Sequence, residues 1–217
     1  MLLLTLLFAL GLWAEAPAEP RPLAKRVLDG LLAEDRKRAD WNFTIHREVK
    51  ELDADGRVKS EKTRVIPRKP EQGRKRDNAW FYELSDALEF RETGEETVDG
   101  RPALVVELSP RAGYRAKNMR ARLFEKMRGK VLVDKADAEL VRADVEVFDT
   151  VSVGLGILGK VNKGTQFHLE RRRVAEGTWL TNMQQVLFGA RIMLKSFHQE
   201  VTTRYSGFER FGRPSAP

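Results

Sequence analysis

The stretch VSVGLGILGKVNKGT, residues 151–165, carries Gly154-x-Gly156-x-x-Gly159 and, on the same residues, Gly154-x-x-x-x-Gly159-Lys160. The first spacing cradles a dinucleotide pyrophosphate when a strand precedes it and a helix follows. The second is a Walker A loop when Ser or Thr comes after the lysine to hold Mg²⁺. Here that residue is Val161. The glycines lie between a predicted strand ending near Val153 and another beginning near Thr165, and Gly164 with the β-branched Thr165 stops any helix starting at Val161. Without a helix N-terminus there is neither a macrodipole nor a row of free N–H groups to hold phosphate, so both nucleotide readings fail. What remains is a hairpin loop whose Val153, Leu155, Ile157, Leu158 and Val161 are apolar where loops are normally polar. Two readings stay open: the loop folds back to cover the sheet, or Leu155, Ile157 and Leu158 form a flap at the mouth of a cavity.

Other reactive residue types point to no chemistry. The three histidines, His46, His168 and His198, are far apart in sequence and lack metal-ligand spacing. Ser152 and Ser196 lack the setting of a nucleophile elbow. The pairs Glu95-Glu96 and Asp134/Asp137 fall in predicted turns, where solvation accounts for them. Asn42-Phe43-Thr44 matches a glycosylation acceptor but sits inside a predicted strand. No catalytic, metal or cofactor site is expected, and a hydrolase is the weakest functional class.

The elements around these residues follow from periodicity. Leu23, Val27, Leu28, Leu31 and Leu32 recur at helical spacing after Pro22, giving an amphipathic helix that needs a partner surface. The period then drops to two: Trp41, Phe43, Ile45 and Val49 alternate with polar residues, Asp53-Ala54-Asp55-Gly56 turns, and Arg57 to Ile66 returns as a strand. Residues 67–78, with Pro67, Pro70, Gly73 and many basic residues, read as a loop. Short strands are expected over Trp80 to Phe90, Glu95 to Val98 and Ala103 to Leu108. Met119, Leu123, Phe124 and Met127 suggest a short helix closed by Gly129. Strands follow at Val131 to Val133, Leu140 to Val153, Thr165 to Val174, Thr178 to Phe188 and Arg191 to Tyr205, the last two divided by a turn at Gly189. Tight turns between strands imply antiparallel pairing. The expected fold is α+β: one strongly curved antiparallel sheet, an unclosed half-barrel, with the N-terminal helix and a short helix covering its concave face.

Leu2 to Trp13 has the length of a secretory h-region and leads to the small-x-small sequence Ala14-Glu15-Ala16-Pro17-Ala18. Cleavage after Ala16 would leave Pro17 first, which signal peptidases disfavour, so cleavage after Ala18 is preferred. The expected organisation is a signal peptide at 1–18, a single domain at 19–212 and a tail at 213–217. The chain of 217 residues has no cysteine, which excludes disulfides, thiol catalysis and an N-terminal lipid-modified cysteine, so a core alone must hold the domain. The net charge of +7 comes from interleaved residues of both signs, the usual pattern of solvated faces. Such a basic chain can be drawn to anionic head groups. No nucleic-acid recognition module is present.

Three passages resemble a known superfamily: Gly94 to Pro102 (GEETVDGRP), Met127 to Lys135 (MRGKVLVDK) and Val201 to Phe208 (VTTRYSGF). Together with the helix, the Trp-led hairpin and the Thr178-Trp179-Leu180 strand opening, they resemble the periplasmic lipoprotein-carrier superfamily, the LolA/LolB-like proteins, in its branch of outer-membrane lipoprotein-sorting proteins. The likeness runs over residues 23–211. It implies an unclosed barrel in the periplasm that holds acyl chains of lipids or lipoproteins on a concave apolar face, as a monomer in transient contact with membranes or membrane-bound partners. Candidate lining residues, read from the alternating strands, are Trp41, Phe43, Ile45, Leu104, Val106, Leu108, Val145, Val147, Phe167, Leu169, Ile192 and Leu194. The alternative reading is an envelope sensor or interaction module on the same fold, motivated by the basic loop at 67–78.

Overall fold

The computed structural model of the chain describes residues 20–68, 82–118, 121–153, 159–192 and 195–211. The first element is a helix, α1 (Pro20–Arg38), followed by the hairpin β1 (Trp41–Leu52) and β2 (Val58–Arg68). A one-turn helix, α2 (Leu84–Ala87), leads into β3 (Leu88–Val98) and β4 (Arg101–Pro110). A 3-10 turn at Ala121–Lys126 then opens β5 (Met127–Asp134), which pairs with β6 (Leu140–Val147). The last elements are β7 (Val151–Val153), β8 (Gly159–Val161), β9 (Gln166–Ala175), β10 (Thr178–Ile192) and β11 (Lys195–Arg210).

All strand pairs are antiparallel and form one sheet in the order β2-β1-β11-β10-β9-β6-β5-β4-β3, with β7 and β8 branching off through β8–β10. The sheet is open, with β2 and β3 as its edges among the described residues. Helix α1 packs against β10, β6, β3 and α2. Its apolar stripe is only partly covered: Leu28 is buried, while Leu23, Val27, Leu31 and Leu32 are half-buried.

Three apolar clusters hold the sheet. The largest joins Leu88, Val106, Leu108, Met127 and Val147 to Ala121 and Phe124 of the 3-10 turn. A second gathers Ala103, Val105, Leu132, Val141 and Trp179. The third packs Trp41, Phe43 and Leu180 against Ile45, Tyr205 and Phe208, with the Phe43 ring edge-on to Tyr205 at 5.7 Å. On β4, Leu104, Val106 and Leu108 fall in the first cluster and Ala103 and Val105 in the second, as strand alternation requires.

The structure corrects several boundaries. The strand expected over Trp80 to Phe90 starts only at Leu88, because the preceding residues turn: the Ser85 hydroxyl donates to the Tyr82 carbonyl at 3.0 Å and Leu84–Ala87 is helical, a competition short polar residues offer the backbone. Glu95 to Val98 is no separate strand, since a bulge between Glu92 and Gly94 keeps β3 continuous. Gly129 does not close a helix; it lies inside β5 opposite Leu108 and Val145. The span Leu140 to Val153 breaks at Phe148–Thr150 into β6 and β7. Gly189 is no turn either, because β10 runs on to Ile192, and Gly189 leaves room for the Asn162 and His198 side chains. Gly159 and Val161, expected in the glycine loop, instead form β8, Val151 pairing with Val161 and Val153 with Gly159, while residues 154–158 lie outside the described residues.

Candidate functional site: an apolar ladder across the sheet

Residues directly opposite in antiparallel strands share a face of the sheet. One such line crosses eight strands: Phe90 on β3 faces Leu108 on β4, which faces Gly129 on β5, then Val145 on β6 and Phe167 on β9. It continues through Val186 on β10, Val201 on β11 and Val49 on β1. Every member with a side chain is apolar. Leu108 is buried, and the other six with side chains are half-buried. The break in the row is Gly129. A Cβ there would meet the Asp144 carbonyl oxygen at 2.1 Å and the Val145 Cα at 2.8 Å, so glycine lets β5 and β6 approach and leaves a gap between Leu108 and Val145. A cavity of about 890 Å³ crosses the same strand positions, but besides Phe90, Leu108, Gly129, Val145 and Phe167 it is lined by their polar and charged strand neighbours, among them Arg91, Glu107, Arg128, Lys130, Asp144 and His168, which alternate to the opposite face.

Helix α1 stands on the same face. Arg171 alternates with Phe167 and Leu169 along β9 and lies opposite Thr181 on β10. Its guanidinium, with the side chain wholly buried, donates to Glu34 of α1 at 3.1 Å and to Glu139 at 2.8 Å. It also donates to the carbonyls of Leu140 at 3.2 Å and Trp179 at 3.0 Å. Glu34 accepts further bonds from the Thr181 N–H and hydroxyl, both at 2.9 Å, and pairs with Arg38 one turn on. Lys37 reaches Glu139 at 2.7 Å. Gly30 belongs to the same junction, because a Cβ there would meet a Glu139 carboxylate oxygen at 2.6 Å. Burial alone would push the Glu34 carboxyl up, but Arg38, Arg171 and the Thr181 bonds together hold it below its ordinary 4.5. Arg38 in turn lies 4.6 Å from the Tyr205 ring and 5.4 Å from that of Phe43, stacking on the third cluster.

Behind the ladder positions the opposite face is charged and internally paired, giving way to the second cluster further along the strands. Arg91 bonds Glu107, Arg128 bonds Glu146 at 2.6 Å and Lys130 bonds Glu96 at 3.1 Å. His168 sits between Asp144 at 2.5 Å and Glu170 at 3.3 Å, which gives this histidine a polar-face role. The buried Asp134 takes two bonds from Arg101, at 2.6 and 2.9 Å. Burial opposes its charge, but Arg101 and the turn N–H groups of Asp137 and Ala136 bring its pKa below the ordinary 3.8. Tyr114 is held protonated by burial and by donation to Glu83 at 2.8 Å. Among the described residues there is no group of three or more potential metal ligands, and no helix is long and apolar enough to cross a membrane.

The expected lining residues divide between regions. Leu108, Val145 and Phe167 stand in the ladder, and Leu104, Val106 and Val147 adjoin it in the first cluster. Leu169, opposite Ala143, is on the same face one position along. Trp41, Phe43 and Ile45 belong to the third cluster instead. Ile192 ends β10, while Leu194, Leu155, Ile157 and Leu158 lie outside the described residues, as do the 1–18 leader and most of the basic loop. Phe90, Gly129, Val186, Val201 and Val49 were not among the expected lining residues. Alternation put Val49 on an apolar face, but only the pairing of distant strands places these residues in one line.

No family model and no curated protein matches the chain. Solved structures do. An outer membrane lipoprotein-sorting protein domain from Vibrio parahaemolyticus is similar at 12% identity, over 88% of this chain and 95% of that one, with a TM-score of 0.33. A LolA superfamily protein from Nitrosomonas europaea is similar at 10% identity, over 88% and 94%, with a TM-score of 0.34. The MucA/MucB complex of Pseudomonas aeruginosa is similar at 12% identity, over 87% and 94%, with a TM-score of 0.29.

Proposed function

We propose that the chain is an exported binder and carrier of acyl chains, from lipids or lipidated proteins, which it holds against the apolar ladder in the periplasm without catalysis. The observation that carries this reading is the ladder: seven apolar side chains in register across eight strands, six of them half-buried, interrupted at Gly129. An acyl chain crossing water exposes about 0.8 kcal/mol of unfavourable transfer per CH₂, so its carrier must present a long apolar track. In this reading the open sheet is a half-barrel with the ladder on its concave side, and α1 covers one end. The half-buried stripe of α1 supplies further apolar surface. The domain is 19–212, freed from a 1–18 leader and followed by the tail at 213–217, and it acts as a monomer that touches membranes or membrane-bound partners transiently.

Native mass spectrometry of protein purified from its own envelope without detergent, followed by solvent extraction, tests the proposal. A stoichiometric lipid or acylated peptide is the expected result. An empty protein that also fails to take up a fluorescent fatty-acyl probe would overturn it and favour an interaction module on the same fold.

A further inference from the structure

The ladder does not stop at Val49. Its next position, on the edge strand β2, is Lys62, and the adjoining pair on the same face sets Arg47 directly opposite Arg64. Like charges facing each other across strands oppose pairing. All three cations are exposed, and among the described residues none of them makes an ion pair. The other face of the same strands behaves differently: Lys50 bonds Glu48 at 2.5 Å and lies 3.9 Å from Glu200. On the helix-side face the neighbours of the three cations are Val49, Val201, Thr203 and Gln184, and the one carboxylate that β1 and β2 place there is Glu51, opposite Ser60. An apolar track therefore ends in uncompensated positive charge.

We propose that Arg47, Lys62 and Arg64 form the head-group site for an anionic phospholipid whose acyl chain lies along the ladder; this rests on the acyl-binding reading above. A phosphate between Arg47 and Arg64 would turn a repulsive pair into two charge-assisted contacts, for which guanidinium geometry is suited. The distance also fits. From Phe167 on β9 to Lys62 on β2 there are four strand spacings, about 19 Å, the reach of an extended long-chain acyl group. Ile66, 45% exposed and two residues from Arg64 on that face, adds apolar surface beside the head group.

The test offers the purified chain two probes with the same fluorescent acyl chain, phosphatidylglycerol and phosphatidylcholine, at low and high salt. The expected result is binding of phosphatidylglycerol about tenfold tighter at low salt, a preference lost at high salt. A variant combining Arg47→Gln, Lys62→Gln and Arg64→Gln keeps its circular dichroism but loses the preference, taking up the two lipids alike. Equal affinity of the unaltered chain for both lipids overturns the head-group site and leaves the acyl reading standing, whereas uptake of neither overturns both. A preference that survives in the triple variant places the site elsewhere and also overturns the proposal. Displacement of the lipid by inorganic phosphate at comparable concentration would show a free-anion site and do the same.

Discussion

The ladder and the junction beneath α1 occupy one face of one sheet and are built on opposite terms. The ladder is apolar, half-buried and interrupted by a residue without a side chain; the junction is ionic, centred on the buried Glu34, Arg38, Glu139 and Arg171, and densely hydrogen-bonded. If the helix were held by apolar packing alone, it would have to spend its leucines on the sheet. Because Glu34, Lys37 and Arg38 anchor it through Arg171, Glu139 and the Tyr205 ring, most of its apolar stripe stays half-covered. Fixing a helix by charge at its C-terminal end leaves apolar surface free for another purpose.

Removing one partner from the junction should therefore be the most damaging change in the molecule. Glu34→Ala leaves the Arg171 guanidinium buried beside Glu139 alone and strips Thr181 of its acceptor. A buried charge that loses its partner destabilises by about 3–5 kcal/mol, to be read from urea denaturation. A loss below about 1 kcal/mol would mean that water reaches the junction and that the comparison with the ladder is wrong. The Glu34 carboxylate, together with that of Asp134 beside Arg101, sets a pH limit. The pKa values of Glu34 and Asp134 are lower in the folded chain than their ordinary 4.5 and 3.8. Their contribution is present above those ordinary values and is lost as pH falls through the lowered folded ones. Stability should hold from neutral pH to about 5 and decline below it, and the combined Glu34→Gln and Asp134→Asn variant should show a shallower acid decline from a lower plateau.

The gap in the ladder is the next place to press. Gly129→Val puts its Cβ against the backbone of Asp144 and Val145, which cannot yield as a side-chain tip can. The strands must part, at about 1–3 kcal/mol, and the space between Leu108 and Val145 fills. Fluorescent-acyl uptake should fall further than stability does. Uptake that is unchanged while stability drops would show that the gap belongs to packing alone.

How much of this the sequence disclosed depends on the range of the interaction. The α1 stripe, the β1–β2 hairpin and β4 were legible because period and turn residues are local. Phe167 and Leu169 could be read as facing one way, but that Phe167 meets Val145 and Val186 depends on β9 lying between β6 and β10, which no local pattern encodes. The junction was hidden for a related reason. In the run Arg171-Arg172-Arg173 only Arg171 is buried, and strand alternation gives it the same parity as the exposed Arg173. The bulge between Thr178 and Trp179 and the Asp137 carboxylate draw Arg173 aside, at 2.9 Å. Interleaved charge thus read as a solvated face, when one member of it anchors the helix.

The smallest effect tests the far end of the ladder, where charge is neither buried nor paired. Arg64→Glu would replace a facing Arg47–Arg64 pair by an attractive one on an exposed edge, and cross-strand pairs of this kind differ by about 0.2–1 kcal/mol. The variant should be slightly more stable than the natural chain in thermal melts at low salt, and the gain should shrink as salt rises. At the same time it should bind the anionic lipid probe less well. A residue whose removal improves the fold and weakens a ligand is kept for the ligand. If the variant were instead less stable, Arg64 would have a structural partner and the positive end of the ladder would be a feature of folding.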